Sequence, residues 1–308
     1  MSFELYDIHS HSGSQKNNLF NEKFKNLKKV TVPELLGQYG DRIDKIVNFP
    51  MPGTVYFNYD GSVIEDKDSL YPYQTENEEL IKSVDKYDKQ GKILPFLCIN
   101  PKVKVTEQLE GLFNLLKNNK VFGLKFHTLD TNYGIKDLFS DSEIISFCRE
   151  FKLPIIIHSG DFNNIEDCND IFQYADKNKD INFCIAHLMT FSEEFFKRMK
   201  EYKNDNIFTD VSPFLSLCEY VKKAKPQGAL NLNYDKPKEV IISLFNDYKR
   251  FILWGSDEPF GKFRIDDENE TSYSLKEEID FLYSLNEEVR KTIASDNSER
   301  FLFNKKII

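Results

Sequence analysis

The chain has 308 residues, 40% of them hydrophobic and 30% charged, enough to bury a large core in one big domain or two smaller ones. Its formal net charge is -9 with lysine and arginine dispersed, which argues against a nucleic-acid or anionic-membrane partner while leaving room for a small anionic substrate held by local cations. No segment approaches the roughly 18 apolar residues of a membrane span, and the N-terminal MSFELYDIHS lacks the basic start and apolar run of a signal peptide, so a cytoplasmic protein is expected.

Short apolar runs alternate with longer amphipathic stretches. The first run is LYDIH (5–9) and the second DKIVNFP (44–50). A long loop is predicted around 52–75, where PGTVYFNYDGS reads as a lid or rim element. ENEELIKSVDKYDKQG then places Leu80, Ile81, Val84 and Tyr87 on one helical stripe that Gly91 can end. ILPFLCIN (93–100) precedes the helical TEQLEGLFNLLKNN, and VFGLKFH (121–127) precedes DSEIISFCREFK, which opens on an Asp or Ser cap. LPIIIHSG (153–160), INFCIAHL (181–188), NIFTDVS (206–212) and FILWGSD (251–257) complete eight runs. Between them lie the helical IEDCNDIFQYADKN, SEEFFKRMKEY and KPKEVIISLFNDY, with a long loop predicted around 222–238 and closing helices in the tail. PIIIH and FILWG are apolar at consecutive positions, as in strands buried on both faces. Eight strands alternating with helices imply a parallel α/β architecture. The first strand-to-helix turn lacks the glycine fingerprint of a doubly wound sheet, so the expected fold is a (β/α)8 TIM barrel. Cys98, Cys148, Cys168, Cys184 and Cys218 are scattered and odd in number, and read as buried thiols in a reducing compartment.

The five histidines have one distribution in common. His9 and His11 end run one, His127 ends run four, His158 run five and His187 run six; Asp257 ends run eight. In a parallel barrel these ends converge on one face, where active sites are built. Residues two apart on a strand point the same way, so His9 and His11 can both aim into the mouth, and Lys125 and His127 form a second such pair. A zinc-like ion takes neutral imidazoles and a carboxylate, with a position left for water when the site is catalytic. His9, His11, His158 and Asp257 supply such a set, leaving His187 to act as acid or base or to hold a second metal. Taken singly, each residue has an ordinary explanation: a core histidine with a hydrogen-bonded ring, a helix-capping aspartate. Five of five on one face do not. For Lys125 three roles stand open: a strand-end lysine reaching solvent, a cation for a substrate carboxylate or phosphate, or a carbamylated lysine bridging two metals.

HSH at 9–11, GLKFH at 123–127, PIIIHSG at 154–160, IAHL at 185–188 and WGSDEP at 254–259 together resemble the amidohydrolase superfamily, closest to its amidohydrolase-related branch of metal-dependent hydrolases and decarboxylases. INPK at 99–102 and the closing DNSERFLF fit the same branch, so the resemblance spans essentially the whole chain as one barrel domain over 1–308. It implies a divalent metal, zinc first, bound by His9, His11, His158 and Asp257. Asp257 would also take a proton from the metal-bound water, and His187 would be the catalytic or second-metal histidine. Lys125 matches the lysine that dihydroorotase-like members carbamylate, and equally one that the amidohydrolase-related branch carries without established carbamylation. HSHSGS lacks the arginine that dihydroorotases place after H-x-H, which argues against pyrimidine-ring chemistry. Lys125 stands where TatD-like nucleases have a glutamate, which argues against a nuclease.

The expected function is metal-dependent hydrolysis of a small-molecule amide, ester or lactone. Decarboxylation or hydration of an unsaturated or aromatic acid is the alternative, and a non-catalytic metal- or ligand-binding barrel a third. Tyr56, Phe57, Tyr133, Phe162, Phe214 and Arg264 are candidate rim residues. A homo-oligomer is possible.

Overall fold

The computed structural model describes residues 3–13, 29–51, 69–118, 120–128, 134–140, 142–158, 165–261, 271 and 273–304. Eight parallel strands follow one another in chain order: β1 (Tyr6–Ser12), β2 (Lys45–Pro50), β3 (Ile93–Cys98), β4 (Gly123–His127), β5 (Ile155–His158), β6 (Phe183–Ile185), β7 (Ile207–Asp210) and β8 (Ile252–Leu253). Each falls on one of the eight apolar runs, β1 continuing past LYDIH to Ser12. β8 is short, but the chain beyond it continues alongside β1. Ile8 N–H donates to the Trp254 carbonyl (3.1 Å), Asp257 N–H to His9 (2.7 Å) and His11 N–H to Glu258 (2.6 Å). These bonds bring the last strand onto the first and close the (β/α)8 barrel.

The helices that cover it are α1 (Val32–Tyr39), α2 (Gln74–Tyr87), α3 (Val105–Asn118), α4 (Ile135–Ser140), α5 (Ser142–Phe151), α6 (Ile165–Lys177), α7 (Glu193–Glu201), α8 (Phe214–Ala224), α9 (Pro237–Tyr248), α10 (Leu275–Ser284), α11 (Glu287–Lys291) and α12 (Asn297–Phe303). Local chemistry sets several ends. Thr31 and Glu34 form a reciprocal capping box on α1, with a proline in its first turn; Ser274 and Glu277 do the same for α10. α1, α4 and α8 add to the helices expected from the sequence. The loop expected around 222–238 is trimmed by the end of α8 and the start of α9, and the one around 52–75 by the start of α2; residues 52–68 lie outside the described residues.

Two apolar layers result. The outer one lies between strands and helices and includes Leu35, Ile46, Leu97, Ile155, Phe183, Ile207 and Trp254. The inner one fills the barrel with Tyr6, Ile8, Val47, Phe49, Leu94, Phe96, Ile156, Phe208 and Leu253, joined by Phe301 and Leu302 of α12. The Phe301 ring lies 5.5 Å from Phe208 and 6.4 Å from Phe96 between centroids, so the last helix plugs one end. All five cysteines are free and buried. No helix among the described residues is long and apolar enough to cross a membrane.

Candidate metal centre and active site

The β1–β2 pairing shifts register between Asp7 and Ser10. Such an irregularity re-aims side chains. Ile8 accordingly belongs to the barrel interior while His9 and His11 also face the mouth, both edge-on to Phe49 with centroids 5.0 Å away. On the closing side, Asp257 adopts φ 57°, a left-handed conformation that turns its carboxylate towards them. Gly255 is needed for that approach: a Cβ there would lie 2.9 Å from the His9 Cβ.

His9, His11 and Asp257 form a buried group whose ligand atoms all lie within 4.8 Å of one another. Their protons can be assigned from their neighbours. His9 Nδ1 sits 2.9 Å from Asp210 Oδ2, and His11 Nδ1 sits 3.2 Å from the Pro50 carbonyl. Both partners accept, so each Nδ1 donates and each Nε2 carries a lone pair. Each Nε2 lies 3.4 Å from Asp257 Oδ1. Three hydrogen-bond acceptors therefore face one another, an arrangement that a cation would stabilise; the Lys125 amine, 3.2 Å from His9 Nε2, meets one of them. Two imidazole nitrogens and a carboxylate oxygen are also the donor types a zinc-like ion takes. The residues present fit a divalent cation.

Burial, and then the Lys125 charge, depresses both histidines, His9 to about 3 and His11 well below its ordinary value, so both are neutral ligands at pH 7. Burial raises the Asp257 carboxyl above its usual range, against the pull of His9, His187 and Lys125. Lys125 does not reach solvent: it is buried, with Nζ 3.2 Å from His9 Nε2 and 4.7 Å from the Phe49 ring centroid. Burial lowers its pKa.

The other three histidines line the opposite wall. His158 Nδ1 is 2.9 Å from His187 Nε2, and the His127 ring stacks on His158 with centroids 4.1 Å apart. Burial holds His127 and His158 well below their ordinary values. His187 Nδ1 donates to the Ser212 carbonyl, which leaves Nε2 to accept from His158. The His187 and His9 rings lie 4.8 Å apart, as do His187 and His158. His187 is thus the link between the two walls. Run six does not continue as strand to Leu188. It ends at Ile185, and His187–Phe191 form five successive left-handed residues, φ 46–62°, with no glycine among them. Such a run costs roughly 1–2 kcal/mol per residue. It is fixed by His187 N–H donating to Asp210 Oδ1 (3.1 Å), by Leu230 N–H donating to Phe191 (2.9 Å), and by burial of Leu188, Met189 and Phe191.

Asp210, at the end of β7, is the residue sequence reasoning passed over. The rule that found Asp257, a carboxylate closing an apolar run, would have found it in NIFTDVS. With His9 and His187 it forms a second group of ligand atoms within 4.8 Å. Its lone pairs are nevertheless taken. Oδ2 accepts from His9 Nδ1 and, at 3.6 Å, from the Cys184 thiol; Oδ1 accepts from His187 N–H, Ser212 N–H and the Ser212 hydroxyl. Burial alone would raise its pKa, but His9 and these hydrogen bonds outweigh it and hold the carboxyl below the usual range. Asp210 therefore orients His9 and His187 from behind.

Of the rim candidates, Phe214 is fully buried between Phe191 and Phe281, away from any rim. Tyr56, Phe57, Tyr133, Phe162 and Arg264 lie outside the described residues. Phe260 stands edge-on to His11, 5.0 Å between centroids, and is only half-buried.

Comparison with known proteins agrees with this geometry. A family model described as "Amidohydrolase" matches residues 56–303. Among solved structures, an amidohydrolase from Burkholderia multivorans superposes with TM-score 0.66 at 9% identity, covering 97% of this chain and 99% of its own. A putative 2-pyrone-4,6-dicarboxylic acid hydrolase from Pseudomonas putida gives 0.63 at 13% identity, with 100% of both chains covered. The 4-oxalomesaconate hydratase from Rhodopseudomonas palustris gives 0.57 at 15%, covering 97% and 95%. No curated protein matches the sequence significantly. At these identities the structural likeness establishes the fold, and the family match over most of the chain establishes membership. The chain belongs to the amidohydrolase family.

Proposed function

We propose that the protein is a metal-dependent hydrolase acting on an amide, ester or lactone of a small molecule. The observation that carries this is the convergence of His9 Nε2, His11 Nε2 and Asp257 Oδ1, all buried, at the mouth of the barrel. His9, His11 and Asp257 would hold the cation, with His158 as the further ligand named from the sequence; zinc suits the nitrogen-rich set best. A divalent cation bound there supplies Lewis acidity and makes water a nucleophile near neutral pH.

The chain's own groups do the rest. Asp257, its pKa raised by burial, accepts a proton at a carboxylate oxygen and delivers it to the leaving group. His187, fixed through Nδ1 and its backbone N–H, would offer the Nε2 lone pair as acceptor for an O–H of the substrate or of water once His158 turns to ligation. Burial lowers the Lys125 pKa, and a cation held by His9 would oppose its ammonium further. Lys125 would serve as a neutral amine, as a carbamate ligand, or, where it keeps its charge, as the partner of a substrate anion. The alternative is a lyase acting on an unsaturated or aromatic acid, a reading favoured by the similarity to a hydratase.

Elemental analysis of protein prepared without chelators tests the metal. About one or two equivalents are expected, and less than about 0.1 per chain overturns the reading. Turnover of a lactone, ester and amide panel, set against CO2 release from enoic and aromatic acids, separates hydrolase from lyase.

A further inference from the structure

Directly behind the His9–Asp257 cluster stands a buried polar assembly that the chemistry above does not use. Asp7, on β1, is fully buried. Its Oδ1 accepts from His9 N–H (2.9 Å) and from Ser256 N–H (3.1 Å), and its Oδ2 accepts from the Tyr39 hydroxyl (2.6 Å). Tyr39 Oη lies 2.8 Å from Ser256 Oγ, which accepts from Glu258 N–H at 3.2 Å. With the single Tyr39 proton given to Asp7, Ser256 donates to Tyr39. One chain of hydrogen bonds thus runs from Ser256 through Tyr39 to Asp7.

The placement of these groups is specific. Asp7 grips the amide of a histidine in the cluster. Ser256 and Glu258 flank Asp257 on either side. Tyr39 is the last residue of α1 and is itself fully buried. Burying a carboxylate and two hydroxyls is costly when apolar side chains could fill the same space. Closing the barrel does not require them, because three backbone hydrogen bonds already join β1 to the chain after β8. What the assembly adds is a single carboxylate oxygen holding the amides of His9 and Ser256 at once.

We propose that Asp7, Tyr39 and Ser256 form a clamp that sets the distance of His9 and His11 from Asp257, so that α1, through the Tyr39 hydroxyl, controls how tightly the site holds a cation. These are positioning residues, and the proposal rests on the cluster being a cation site.

Cobalt(II) titration of chelator-treated protein tests it, read by the visible d–d bands and by competition with a chelator, alongside thermal unfolding of the same metal-free samples. Tyr39→Phe and Ser256→Ala should each weaken cobalt binding about 10–100-fold and shift the d–d bands, with the double variant little worse than the stronger single change. Tyr202→Phe is the control: its hydroxyl donates to Asn206 (2.8 Å), and its loss should lower the melting temperature without changing cobalt affinity. Unchanged affinity and bands in both clamp variants, with reduced thermal stability, would show a purely structural network and end the proposal. Should Tyr39→Phe fail to fold, Ser256→Ala decides alone. Wild-type protein that binds no cobalt overturns the cation-site reading and the clamp together, whereas normal binding by wild type and clamp variants alike overturns only the clamp.

Discussion

The two ends of the barrel use the same eight strands and opposite materials. The lower end is closed by Tyr6, Leu94, Phe96, Phe208, Phe301 and Leu302. The upper end holds His9, His11, Lys125, His187, Asp210 and Asp257, all buried as well. A few residues along each strand, at about 3.3 Å apiece, separate a layer that stabilises from a layer that reacts. Burial is therefore no guide to role in this molecule. Position along the strand is.

Substitutions at the two ends should fail in different ways. Asp257→Asn should lower kcat by about 10^2–10^4-fold while the protein stays folded and keeps most of its metal; near-normal turnover would remove Asp257 from the chemistry. Phe301→Ala empties the plug and should cost about 3–5 kcal/mol in urea unfolding, with cation affinity per folded molecule unchanged. If that variant also loses its cation, the two ends are coupled and the contrast breaks.

Acid should separate them too. His9, His11, His127 and His158 all have depressed pKa values in the folded chain, His9 at about 3. Below about pH 6.5 the unfolded chain takes up protons that the folded one refuses. Metal-free protein should therefore lose stability as pH falls from 6.5 towards 3, by up to about 1.4 kcal/mol per unit for each histidine. Urea midpoints across pH 4–7 measure this, and His127→Gln should flatten the slope where Phe301→Ala only shifts the curve.

An effect of opposite sign concerns Glu278 of α10. It accepts from Leu215 N–H at 2.8 Å, and its Oε2 has no hydrogen-bond partner among the described residues. Burial raises its pKa to about 8, so the folded chain holds a proton that the unfolded chain releases near 4.5. Stability from this group falls as pH rises from 4.5 to 8, the reverse of the histidines. Glu278→Gln should remove that decline, at most about 1.4 kcal/mol per unit, in the same urea series.

Much of this was legible in the amino-acid order. Runs such as IIIH and FILW read as doubly buried strands, and five histidines at run ends mark one face of a barrel. What escaped was set by partners distant in sequence. Asp210 closes its apolar run as Asp257 does, but its partners His9 and His187 lie far from it in sequence. Neither Tyr39 nor its helix stands out in the sequence, and nothing local reveals that its hydroxyl meets Asp7. The left-handed run from His187 to Phe191 contains no glycine or asparagine to announce it; tertiary contacts alone hold it. The separation of His158 from the His9–Asp257 group follows from ring orientation, which strand parity does not specify.

The seam between β1 and the chain after β8 has a consequence for biosynthesis. His9, on β1, is synthesised before β2–β8, and Asp257 can reach it only once those strands have followed. Chains that stop short of Asp257 thus lack one member of the candidate ligand group. A cation that needed the whole group would then report that first strand and last have been joined.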